Sequence, residues 1–222
     1  MGGEAHRKGA GVRRVWKWWI GAVAVAVTAT ACGAHGSSGT AEPARSSQAP
    51  GPSASKSGGN PDVAHWAPQV VAYTEKAGVE PRLLMAILYN ESYKPHDPEL
   101  ERAWQRLKPD SAFGIANMHK AAFDEAKTGR AFADRDWQEL PDDPALAIEA
   151  AAWHLHDLAG QLPASWTGKY TKDELLALGY NAGAGNMLAF SRGAKPGTQA
   201  QSYLDRLHQN WDKAGEAVSR KG

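Results

Sequence analysis

Cysteine is nearly absent from this chain: Cys32 is the only one in 222 residues. That excludes an internal disulfide framework and any multi-cysteine metal site. A one-signed charge excess is missing too, with 25 Lys and Arg against 24 Asp and Glu. The small surplus sits at the start, where Arg7, Lys8, Arg13, Arg14 and Lys17 face only Glu4. Without the first 31 residues, 20 basic and 23 acidic residues remain, a net of −3. Nucleic acid is therefore excluded as the expected partner, because phosphate binding wants a basic surface. The apolar run from Trp18 to Ala31 is 14 residues long, short of the roughly 20 that span a bilayer as a helix. There is no convincing alternating strand pattern and no internal repeat.

What is there begins with an export signal over residues 1–31: a basic stretch, the apolar run, and a small-residue exit at Ala29-Thr30-Ala31-Cys32-Gly33. Ala-Thr-Ala-Cys resembles a bacterial lipobox, which implies lipidation of Cys32 and attachment to a membrane through that lipid. From Gly33 to Asn60, 21 of 28 residues are Gly, Ser, Ala or Pro. Such a segment cannot bury enough apolar surface to offset its ordering entropy. Residues 32–60 are thus expected to be a disordered tether, with an end-to-end distance of roughly 30 Å.

The remaining segment, 61–222, is expected to be one all-α domain. Val63 to Ala77 is helically periodic and stops at Gly78, with Pro68 kinking or restarting it. Pro81 to Ser92 is a second helix. Glu99 to Leu107, with Trp104, has a short helical pattern of its own. Asp143-Pro144 reads as an N-cap followed by proline in the first turn, opening a stripe of Ile148, Ala151, Leu155 and Leu158. Thr171 and Glu174 form a capping box. A last helix near Gln199 to Val218 carries Tyr203, Leu204, Leu207 and Trp211. A small hairpin near 108–117 is the one β element the pattern allows.

One residue stands out in LLMAILYNESYKP, residues 83–95. In a helix Leu84, Ile87, Leu88 and Glu91 fall at i, i+3, i+4 and i+7, so the acid shares the core-facing stripe. Pro95 disfavours helical geometry at Lys94, so the helix is expected to stop near Ser92 or Tyr93. Glu91 then sits at the negative end of the helix dipole. Desolvation and that dipole both favour a protonated carboxyl, which is what a general acid needs.

The histidines do not form a metal site. His154 and His156 are about 200° apart around a helix and cannot share a ligand face; surface or capping roles are expected, and no metal or cofactor. Trp66, Trp104, Trp137, Trp153, Trp166 and Trp211 include candidates for stacking on sugars, though most belong in the core.

The order of motifs resembles the lytic transglycosylase SLT family, relatives of goose-type lysozyme. The matching segments are Leu84 through Glu91-Ser92, Ser111-Ala-Phe-Gly114-Ile-Ala-Asn117-Met118, Asp143-Pro144 and Tyr180-Asn181-Ala182-Gly183, with Tyr203 in a late helix. The sequence departs from the family at Asn117, where Gln is usual, and in the length of 93–110. The resemblance implies a lysozyme-like helical fold with a substrate cleft, and cleavage of peptidoglycan glycan strands by a monomer facing the cell wall. It makes Glu91 and Tyr180 catalytic. Ser92, Ser111, Gly114, Asn117, Met118, Asn181, Gly183 and Tyr203 become substrate-binding. It also implies a single-carboxylate mechanism, in which the substrate's 2-acetamido group assists and a 1,6-anhydro end forms. Two alternatives stay open: hydrolysis as in goose-type lysozyme, with Asp110 or Asp97 as a second acid, and a peptidoglycan-binding module without activity.

Overall fold

A computed structural model describes residues 62–93 and 96–219, which all fall in one compact unit, Pro52–Gly222. Cys32, the export signal, the tether and Pro95 lie outside the described residues.

The chain enters through a 3-10 turn, Val63–Trp66, and runs straight into α1, Ala67–Ala77, with Pro68 in its first turn. Pro68 therefore restarts the helix, since an early proline lacks only an N–H that would be unpaired anyway. Gly78 ends α1 in the left-handed conformation, φ 66°. Next come α2, Pro81–Glu91; α3, Pro98–Leu107; α4, Lys120–Ala126; and a 3-10 turn at Trp137–Glu139. Then follow α5, Pro144–Gln161; α6, Lys172–Ala182; α7, Ala184–Ser191; and α8, Thr198–Ser219. The Asp143 carboxylate accepts from Leu146 N, and the capping box at Thr171 and Glu174 is formed. The all-α expectation is borne out. The hairpin reduces to one antiparallel bridge between Phe113 and Met118, and among the described residues no helix is long and apolar enough to cross a membrane.

The core is built around α2, whose residues Leu83 to Glu91 are all buried. Each fully buried Leu, Ile or Met contributes about 1.5–3 kcal/mol relative to exposure, so this short helix is fixed by its neighbours. It packs along α8, while α1 packs along α5. Polar bonds set the register of α2 on α8. Asn90 Nδ2 donates to Tyr203 O at 3.0 Å, and Asn90 Oδ1 accepts from Asn210 Nδ2 at 2.8 Å. At the other end Arg82 Nε donates to Trp211 O, and its guanidinium lies 4.8 Å from the Trp211 ring centroid.

Candidate active site

Glu91 is the last residue of α2 and only 6% exposed. Ser92 caps the helix, its N–H donating to Leu88 O, so the helix stops where Pro95 predicted. The acid thus has its backbone fixed by the best-packed element of the fold.

A short turn faces it. Phe113 and Met118 exchange both backbone hydrogen bonds, 3.1 and 3.0 Å, and Asn117 N closes the turn onto Gly114 O at 2.8 Å. Gly114 has φ 72°, and a Cβ there would come within 2.8 Å of Leu140 O, so only glycine fits. Asn117 has φ 48°, a left-handed conformation that Asn tolerates better than most residues. That geometry aims its amide inward: Asn117 Nδ2 donates to Glu91 Oε2 at 2.9 Å. The turn is backed by Trp137, whose Nε1 donates to Met118 O at 2.9 Å. It is also tied to α3, where Glu101 Oε2 accepts from Gly114 N at 2.8 Å.

Two tyrosines complete the surroundings. Tyr180, on α6, donates its hydroxyl to Ala116 O at 2.6 Å, so its bond holds the turn rather than the acid. Tyr203, on α8, is 2% exposed, and no hydrogen bond of full geometry satisfies its hydroxyl. Burial pushes both phenols well above their ordinary range, and further still whenever Glu91 is ionised. Both stay neutral. Behind Tyr180 lies His154, in edge contact at 5.5 Å between ring centroids. Desolvation lowers the His154 pKa to about 4. His154 is half-buried, packing its ring on Tyr180 while keeping part of the surface position expected of it. His156 does cap: its Nδ1 meets Ala77 O, the end of α1, at 2.6 Å.

The structure thus gathers Glu91, Asn117, Gly114, Met118, Tyr180 and Tyr203 around one acid. Other candidates lie elsewhere. Ser92 turns its hydroxyl back to Tyr89 O at 2.9 Å. Exposed Asn181 lines a hollow of about 910 Å³ with Tyr93 and Arg206. Gly183 is the exposed corner where α6 ends and α7 begins. Ser111 lines another hollow, about 860 Å³, together with Asn117, Asp110 and Trp104. Of the two alternative acids, Asp97 is occupied capping α3, accepting from Glu99 N and Leu100 N. Sequence reasoning missed His154, Glu101 and the choice of Trp104 among the tryptophans. Among the described residues no group of three or more His, Cys, Asp or Glu side chains is placed to hold a metal.

A buried carboxylic acid at a helix end, met by an amide that also lines an open hollow, can deliver a proton to a bond laid across it and take one back. Residues 69–201 match the family model described as the Transglycosylase SLT domain. No curated protein sequence matches the chain.

Proposed function

The chain belongs to the transglycosylase SLT domain family, and from that premise we propose that it cleaves the β-1,4 bond between N-acetylmuramic acid and N-acetylglucosamine in peptidoglycan, leaving 1,6-anhydro ends. The observation that carries the reading is the Glu91–Asn117 pair. Burial and the helix C-terminus favour a protonated Glu91, ready to give its proton to the leaving oxygen. The substrate's acetamido oxygen displaces that oxygen at C1. Glu91, now a carboxylate, takes the proton of the C6 hydroxyl, and O6 displaces the acetamido oxygen and closes the anhydro ring. No water is consumed. The Asn117 amide steadies the carboxylate between its two turns, while Tyr180 holds the turn that carries Asn117.

One observation favours hydrolysis as a second reading: Asp110 lines the hollow that Asn117 borders. An acid opposite Glu91 could hold a water for attack. Mass spectrometry of a peptidoglycan digest separates the two. Anhydro ends that persist in Asp110→Asn are expected; ends heavier by one water and dependent on Asp110 overturn the transglycosylase reading.

The same reading makes the protein a monomer outside the cytoplasmic membrane, lipid-anchored at Cys32 and reaching the wall on its tether. Its support is the sequence of residues 1–60. Cys32→Ser is expected to release the protein or leave it unprocessed, and a mutant that stays membrane-bound at the normal processed size refutes the anchor.

A further inference from the structure

On the reading above, we propose that the hollow between α3 and the Asp110–His119 segment is a saccharide subsite of the glycan strand, with Trp104 as its stacking platform. In α3 the residues Leu100, Ala103, Trp104 and Leu107 fall at i, i+3, i+4 and i+7, a stripe of the kind that normally buries. Here the helix has no buried residue, and Leu100, Trp104 and Leu107 are 68%, 51% and 73% exposed. The helix is held instead by polar ties at Glu101 and Arg102. Glu101 meets His96 Nδ1 and Gly114 N, each at 2.8 Å, and Arg102 meets Asp142 at 2.6 Å. Those bonds keep the apolar stripe open onto the hollow.

The segment opposite brings Asp110, Ser111, Asn117 and His119 to the hollow, with Phe113 among them. Apolar surface interspersed with hydrogen-bonding groups is what a sugar ring asks for, since its C–H face stacks on an aromatic plane and its hydroxyl and amide rim seeks polar partners. The volume, about 860 Å³, lies within the roughly 300–1,000 Å³ usual for ligand sites. Lys108 Nζ stands 5.9 Å from the Trp104 centroid, at the outer limit of cation–π attraction, a contact weak enough for a sugar to displace. What selects the glycan over a lipid surface or a partner helix is continuity with the acid. Asn117 both lines the hollow and bonds Glu91, so the occupant of the hollow lies beside the bond to be cut.

The test uses the full-length Glu91→Gln protein, which holds substrate uncleaved. It is titrated calorimetrically with N-acetylglucosamine tetramer and with glycan strands stripped of peptide stems, and where Trp104 is present its indole N–H resonance is followed as well. A saturable shift is expected. Adding Trp104→Ala should weaken binding about tenfold, and Trp104→Phe should recover most of it, with melting temperatures unchanged because the ring is half exposed. In the chain with Glu91 intact, Trp104→Ala should raise KM about tenfold with kcat within about twofold, the signature of binding remote from the reacting atoms. Undiminished sugar affinity in Trp104→Ala overturns the subsite. So does binding that requires peptide stems, or a Trp104 shift produced by phosphatidylglycerol vesicles and not by sugar. A wild-type chain that binds sugar at Trp104 but cuts nothing keeps the subsite and refutes the catalytic reading. Cleavage that depends on Glu91 with no Trp104 effect does the reverse.

Discussion

Helices α2 and α3 stand on either side of the turn that carries Asn117, and they are built on opposite principles. In α2 every residue from Leu83 to Glu91 is buried, while in α3 none is. Packing fixes the first, so the acid at its end needs no substrate to find its position. The second keeps its place by charged and polar bonds at Glu101 and Arg102, and saves its apolar stripe for something else. On the proposed reading one wall serves chemistry and the other recognition. The two helices already differ in sequence: α2 is an almost unbroken apolar run from Leu83 to Tyr89, whereas α3 sets a narrow apolar stripe among Glu99, Glu101, Arg102 and Arg106, a stripe for which the fold supplies no buried partner.

The largest expected effect tests the catalytic wall directly. Glu91→Gln should reduce wall-degrading activity by about 100- to 10,000-fold, with circular dichroism and melting unchanged or slightly improved. Gln keeps the volume and can still accept from Asn117, but it cannot deliver a proton. Near-wild-type lysis of purified cell walls by this variant would remove the distinction between the walls altogether.

A paired truncation sharpens it. Leu88→Ala in α2 should cost about 2–5 kcal/mol of stability, because a cavity opens where Leu88 has no exposure. The same change at Leu107, 73% exposed on α3, should stay within about 0.5 kcal/mol. Equal losses in urea denaturation would mean that α3 is part of the core.

Asn117→Gly comes next, since glycine keeps the positive φ and removes only the amide. A hydrogen bond to a charged group is worth about 1.5–3 kcal/mol, so activity should fall roughly 10- to 100-fold while stability changes little. An unaltered rate would mean that the amide does not serve the acid.

The smallest effect concerns the layer behind the catalytic wall. Burial lowers the His154 pKa from its ordinary 6.5 to about 4, so the folded state resists protonating it. Its contribution is fully present above pH 6.5 and is lost as pH falls towards 4, a fraction of the roughly 3.4 kcal/mol that such a shift represents, because the ring is part-exposed. His154→Phe should flatten that part of the stability–pH curve; an unchanged slope would show that other groups produce it.

Much of this was legible in the residues. Gly78, Asp143-Pro144 and the Thr171–Glu174 box mark helix ends because capping is local chemistry, decided within four residues. Glu91 was readable as a buried acid because its spacing from Leu84, Ile87 and Leu88 is a one-helix property. The contacts of the site were not. Asn117 reaches Glu91 only because the Gly114 turn folds back across a sequence separation of 26, and Tyr180 spends its hydroxyl on Ala116 for the same reason. His154 meets Tyr180 where α5 passes α6. Trp104 could not be chosen among the tryptophans because exposure depends on what the rest of the fold leaves uncovered.

Gly114 also sets a limit on how this chain can vary. At Gly78 a new side chain would meet only backbone strain, since nothing lies within 4 Å. At Gly114 strain and collision coincide: φ is 72°, and Leu140 O stands 2.8 Å from where any Cβ would be. Every change in this codon that alters the amino acid therefore displaces the turn, and with it the amide that meets the acid. A glycine in a turn of a helical protein is ordinarily easy to mutate; this buried one is a point at which heritable change and the placing of Asn117 beside Glu91 cannot be separated.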